Sequence, residues 1–129
     1  MADVAAIMST ELVHVDAGLP LADAAGRMNA RRVGAVLVLD GGRLAGILTE
    51  RDVLRAVAEA RVESTTVADW MTPHPETVEP DDTTDNAAAL MIHGGFRHLP
   101  VVEGGKVVGI VSIRDLMRVV LDDQTPRGV

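Results

Sequence analysis

The chain has no cysteine, which excludes disulfides, thiolate nucleophiles and cysteine-based zinc sites at once. Aromatic residues are nearly as scarce: Trp70 and Phe96 are the only rings, 2% of the residues. A single-stranded nucleic acid would find no row of rings to stack on. Basic residues are outnumbered, 12 against 19 acidic, for a net charge of −7. With no basic cluster to offset that charge, the chain repels a phosphate backbone, and no nucleic-acid partner is expected. A small anion is different, because one or two arginines or a helix N-terminus suffice to hold it. Long apolar runs are also missing. Runs such as Ala35 to Leu39 and Ala87 to Ile92 are far too short to cross a bilayer, and Met1-Ala2-Asp3-Val4 lacks the basic-then-apolar order of a leader. No membrane partner is expected, and the expected compartment is the cytoplasm.

What is abundant is aliphatic: hydrophobic residues make up 47% of 129, so the core must be built from Val, Leu, Ile, Ala and Met. These residues are arranged twice over. Setting Val67 on Val4 gives an offset of 63 that holds without a gap to Val57 and Val120, with 16 of 54 paired positions identical. The matches include Met28/Met91, Gly41-Gly42/Gly104-Gly105, Gly46-Ile47/Gly109-Ile110, Arg51-Asp52/Arg114-Asp115 and Arg55/Arg118. A fixed-offset self-match of this length marks a duplication.

Each copy opens on a stretch suited to one helical turn, followed by an extended segment, Leu12 to Val15 and Glu76 to Val78. Apolar residues at helical spacing then predict a helix: Leu21, Ala24, Ala25 and Met28 in the first copy, Ala87, Ala88 and Met91 in the second. Pro20 and Asp81-Asp82-Thr83 supply start signals. Two short apolar runs follow, Ala35 to Leu39 and Leu44 to Leu48, then Leu99 to Val102 and Val107 to Val111. Gly41-Gly42 and Gly104-Gly105 between them suit a tight hairpin, whose central residues need positive φ. A second helix closes each copy, Glu50 to Ala60 and Ile113 to Leu121. The fold class is therefore α/β, strand-helix-strand-strand-helix twice. The expected domains are 4–60 and 67–121, with 61–66 as linker and 122–129 as a polar tail.

This order, the duplication and two signatures together resemble the CBS domain, named after cystathionine beta-synthase, which occurs in tandem pairs. One signature is Gly-apolar-apolar-Ser/Thr-x-x-Asp, present as Gly46-Ile47-Leu48-Thr49-Glu50-Arg51-Asp52 and Gly109-Ile110-Val111-Ser112-Ile113-Arg114-Asp115. The other is Gly95-Phe96-Arg97-His98-Leu99-Pro100-Val101-Val102, whose first-copy counterpart is degraded: Gly34, Ala35 and Leu37 stand opposite Arg97, His98 and Pro100. The resemblance implies a pseudo-two-fold pair with two related clefts that hold AMP, ADP, ATP or S-adenosylmethionine as a regulatory ligand, no required cofactor, and homodimers of such pairs.

Two readings of the hydroxyl-x-x-carboxylate pairs stand side by side. Thr49 with Asp52, and Ser112 with Asp115, fit a helix cap on chemistry alone. Equally, an ionised carboxylate suits the two hydroxyls of a ribose, and a hydroxyl beside free amides suits a phosphate oxygen. In the second copy Arg97 and His98 flank the strand, and Arg97 would offer a fork to phosphate. Pro100 belongs to the same signature, and Arg51 and Arg114 precede the two aspartates. Under the resemblance, Thr77 and Val78 line the adenine, while Met8, Met71 and Trp70 either close a cleft or fill the core. Keeping the whole second signature, the Asp115 site is expected to be the better one.

His14, His74, His93 and His98 share no ligand spacing, so no metal site is expected. No nucleophile with a base can be named, so no catalytic residue is assigned. The reading is a ligand-sensing module answering to an effector protein or an oligomer change; its rival is a dimerisation protein with empty clefts.

Overall fold

The computed structural model of the protein describes residues 2–124, with side chains through Leu121. They form two compact units. The first-copy unit is Leu12–Pro75, and the second-copy unit joins the residues up to Glu11 to those from Glu76 onward. The opening segment of each sequence copy is thus folded into the unit of the other.

In the first-copy unit, β1 (His14–Asp16) leads into α1 (Leu21–Arg31), then β2 (Ala35–Asp40), β3 (Arg43–Thr49) and α2 (Glu50–Ala58). α3 (Val67–Trp70) and β4 (Thr72–Pro73) complete it. The sheet runs β1-β2-β3-β4, with β1 parallel to β2 and the other pairs antiparallel. The second-copy unit has a 3-10 turn at Val4–Ala6, α4 (Thr84–Gly94), β5 (His98–Glu103), β6 (Lys106–Ser112) and α5 (Ile113–Gln124). Its β5-β6 hairpin is flanked by single bridges, Val78 parallel to Val101 and Ser9 antiparallel to Ile110. These match β1 and β4 residue for residue at the 63 offset, since Thr72 faces Ile47.

The Gly-Gly turns take positive φ at both positions, 59° and 82° at Gly41 and Gly42, 58° and 80° at Gly104 and Gly105, as a two-residue hairpin requires. The helices α1 and α4 both end in a left-handed residue, but Arg32 holds that position in one copy and Gly95 in the other. Each unit has its own aliphatic core. Val15, Leu21, Val36, Val38, Leu48 and Val67 are the heart of one, and Val4, Leu99, Val101 and Val111 of the other.

Three boundaries differ from the sequence reading. The 61–66 stretch is more than a connector, because Thr65 is buried, its carbonyl accepts from the Leu21 amide and Thr66 bridges Pro20. α2 stops at Ala58, and α5 runs on to Gln124, beyond the expected end at Leu121. Of the expected polar tail, residues 125–129 lie outside the described residues. β4 was not foreseen, since a two-residue strand carries no periodicity.

Candidate functional site

Thr49 ends β3 and Ser112 ends β6, so each hydroxyl lies at a helix N-terminus where backbone amides lack helical partners. In the first copy the Asp52 Oδ2 accepts from the Thr49 amide at 2.9 Å and the Thr49 hydroxyl at 3.0 Å, while the Asp52 amide donates back to Thr49 Oγ1 at 3.4 Å. In the second copy Asp115 Oδ2 accepts from the Ser112 amide at 2.8 Å and its hydroxyl at 3.0 Å, and the Asp115 amide donates to Ser112 Oγ at 3.2 Å. Both are complete capping boxes. One carboxylate oxygen of each aspartate is therefore spent on folding, and ligand chemistry falls to the other, Oδ1.

At Oδ1 the two copies part. Arg55 Nη1 donates to Asp52 Oδ1 at 3.1 Å, whereas Arg118 Nη1 stands 3.6 Å from Asp115 Oδ1. The Asp52 side chain is 9% exposed and that of Asp115 18%. The cause lies one element away. Trp70 is buried in the first-copy core, its Nε1–H donates to Thr65 Oγ1 at 2.9 Å, and the guanidinium carbons of Arg55 and Arg61 each lie 5.5 Å from its ring centroid. Cation–π contact fixes Arg55 where it meets Asp52. At the 63 offset the second-copy unit has Ile7 in place of Trp70, and among the described residues no ring lies beneath its Arg118. Asp115 thus keeps the more available oxygen.

The strand preceding each hairpin brings a second group to the cap. The Glu50 amide donates to the Gly34 carbonyl at 2.9 Å, and the Ile113 amide to the Arg97 carbonyl at 2.8 Å. Residue 34 or 97 thereby sits against the first helical residue. In the second copy this places Arg97, exposed and with no ion pair among the described residues, beside apolar Ile113. In the first copy the Glu50 carboxylate covers Gly34, with its Cδ and Oε1 3.5 Å from where a Cβ would stand.

His98 is half-buried at the start of β5, and Arg51 and Arg114 are exposed on the first turns of α2 and α5. Thr77 is exposed. Val78 is placed elsewhere than a ligand surface: its side chain is 2% exposed in the core, and its amide and carbonyl pair with Pro100 and Val102. Pro100 is buried too, with its carbonyl accepting from Val78. Trp70 is core, and Met71 packs against that core as Met8 does against the other. The glycines of the signature make room for them: a Cβ on Gly46 would meet Met71 Sδ and the Thr72 carbonyl at 2.7 Å, and one on Gly109 would meet Met8 Sδ at 2.5 Å. Arg55, Arg118, Glu50 and Gly34 were missed as site residues. Their signal was present in the repeat, as an arginine three after each aspartate and as charged positions that fail to match.

Among the described residues no group of three or more His, Asp or Glu could hold a metal ion, and no helix is long and apolar enough to cross a membrane.

Comparison with known proteins supplies the family. Residues 4–59 and 67–122 each match the CBS domain. A 17.7 kDa protein from Acidianus ambivalens is 38% identical over 124 residues, 95% of this chain and 75% of its own length. The plant protein CBSCBSPB2 of Arabidopsis thaliana is 41% identical over 107 residues, 81% of this chain but 20% of its own length. Among solved structures, a CBS-domain protein from Burkholderia ambifaria MC40-6 superposes with a TM-score of 0.91 at 38% identity, over 99% of this chain and all of that one. The CBS domain pair of protein MJ0100, in complex with 5′-methylthioadenosine and S-adenosyl-L-methionine, gives 0.90 at 25% identity, over 96% and 99%. PAE2072 from Pyrobaculum aerophilum, complexed with AMP, gives 0.85 at 27%, over 95% and 97%. The chain belongs to the CBS domain family, as two tandem CBS domains of mixed α/β fold.

Proposed function

We propose that the protein is a regulatory module that binds adenosyl ligands, AMP, ADP, ATP or S-adenosylmethionine, without catalysing a reaction. The observation that carries this reading is the Ser112–Asp115 cap. The Asp115 Oδ1 is partly open and loosely met by an exposed Arg118, with Arg97, which has no ion pair among the described residues, one backbone hydrogen bond away. A carboxylate oxygen and a guanidinium carried on these joined segments offer an acceptor for ribose hydroxyls and a donor fork for phosphate. Solved relatives that hold AMP or S-adenosylmethionine support the same ligand class. Ser112, Asp115, Arg97, His98 and Arg114 are the contacts proposed, with Thr77 and the backbone around Pro100 toward the adenine; Thr49, Arg51 and Asp52 form the related first-copy set.

The signal would pass to a second copy of this chain. α2 exposes Leu54 (67%) and Val57, and α5 exposes Met117, Val120 and Leu121; Leu54 pairs with Met117, and Val57 with Val120, at the repeat offset. Matched apolar stripes suit a two-fold homodimer.

Calorimetry with AMP, ATP and S-adenosylmethionine on wild type and Asp115→Ala tests the binding. Saturable heat with wild type that Asp115→Ala reduces at least tenfold for AMP supports the reading, and no heat with any of the three at millimolar concentration would sink it. A dimerisation protein without ligand is the second reading, favoured by the use of both aspartates in caps. A sedimenting dimer, broken by Met117→Glu and unmoved in melting temperature by every nucleotide, would establish it instead.

A further inference from the structure

We infer that the two caps discriminate ligands by charge. The Ser112–Asp115 cap accepts a phosphorylated adenosyl ligand, while the Thr49–Asp52 cap rejects phosphate and takes an adenosyl compound whose 5′ end is neutral or cationic. The inference rests on the adenosyl reading above and deepens it. Both caps share a hydroxyl, first-turn amides, an arginine and an aspartate, so the shared parts favour the same ligand. What differs is the identity of the two residues whose backbones are joined by the strand-to-helix hydrogen bond: Arg97 with Ile113 in one copy, Gly34 with Glu50 in the other.

The consequence is a difference of two charges. Arg97, Arg114, Asp115 and Arg118 leave the second cap two net positive charges, whereas Glu50, Arg51, Asp52 and Arg55 leave the first with none. Glu50 is the first residue of α2, and a carboxylate there occupies the field of the helix N-terminus that would otherwise attract an anion. Its carboxyl group also fills the space over Gly34 that, in the second copy, belongs to the side chain of Arg97. Nor can Arg55 compensate, since it is paired with Asp52 at 3.1 Å and held against Trp70. A phosphate at this cap would meet the Glu50 carboxylate with Arg51 alone to offset it, at an expected cost of about tenfold or more in affinity relative to the second cap. A sulfonium or an amino group would be attracted by that same carboxylate.

Titration calorimetry on the full chain decides the matter, with AMP, adenosine and S-adenosylmethionine as probes and circular dichroism as the check that each variant is folded. The wild type should take one AMP per chain. Asp115→Ala should lose that AMP yet retain a site for S-adenosylmethionine. Adding Glu50→Gln to Asp115→Ala should raise AMP affinity about tenfold or more, and Gly34→Arg gives a second route to the same gain. Two equivalent AMP sites in wild type, joint loss of AMP and S-adenosylmethionine in Asp115→Ala, or no gain from either Glu50→Gln or Gly34→Arg would overturn the charge rule. In the first two cases adenosyl binding itself survives in the wild type. Silence of all three probes with wild type would overturn the adenosyl reading as well, so the two failures are told apart.

Discussion

At the scale of single residues, the signature glycines do a different job from the one a motif suggests. Gly46 and Gly109 have ordinary φ; what they lack room for is a Cβ, because Met71 or Met8 and a carbonyl of the neighbouring segment lie against them. A methyl group added at Gly109 would push on Met8, which can yield, and on the Ser9 carbonyl at 3.0 Å, which the bridge to Ile110 holds. Gly109→Ala should therefore destabilise the protein by about 1–3 kcal/mol, the usual range for overpacking. Urea denaturation followed by circular dichroism measures it, and an unchanged midpoint would show that the segment slides away freely. The glycine was legible in the sequence. Its reason was not, because Met8 and Gly109 are far apart in the chain and nothing local announces their meeting. Asp52 and Asp115 teach the same lesson: identical in the sequence pattern, they differ in availability because the unit of one holds Trp70 where the unit of the other holds Ile7.

At the scale of elements, helix caps were the most legible features, since a cap is written within four consecutive residues. Thr49-x-x-Asp52 and Ser112-x-x-Asp115 form as their spacing implies. The four-residue α3 is capped by the same logic, less visibly, with Asp69 accepting from the Thr66 amide at 3.0 Å and from the hydroxyls of Thr65 at 2.8 Å and Thr66 at 3.3 Å. The Thr66 amide bond, then the Thr65 hydroxyl, hold the Asp69 carboxyl below its usual value of 3.8 despite partial desolvation, and Arg61 adds a smaller pull. A folded pKa below the unfolded one stabilises the protein above pH 3.8 and ceases to do so as pH falls through the folded value. Comparing urea midpoints of wild type and Asp69→Ala should show a deficit for the variant at pH 7 that narrows as pH drops below 3.8. Because hydrogen bonds outweigh the pull of the Arg61 charge, added salt should change that deficit little. A deficit that persisted unchanged to the most acid folded conditions would mean the ionised carboxylate contributes nothing there.

At the scale of the whole molecule, the duplication was legible and the exchange of opening segments was not. A self-match at constant offset says that two copies share a fold; it cannot say which copy a given segment completes, because both assignments preserve the register. Val4 and Val67 occupy equivalent positions, each fully buried, yet Val4 lies in the core with Leu99, Val101 and Val111 while Val67 lies with Val36, Val38 and Leu48. Local stability should follow this crossed assignment and not the order of the chain. Truncating either valine to alanine removes two buried methyl groups and should cost about 2 kcal/mol, but in opposite halves. With Val4→Ala, hydrogen exchange should quicken in β5 and β6, about a hundred residues away in sequence. In β2 and β3, which follow Val4 much sooner along the chain, protection should hold. With Val67→Ala the loss should instead fall on β2 and β3. Faster exchange in β2 and β3 from Val4→Ala, with β5 and β6 untouched, would mean that each copy folds on its own opening segment and that the two cores are assigned the wrong way round.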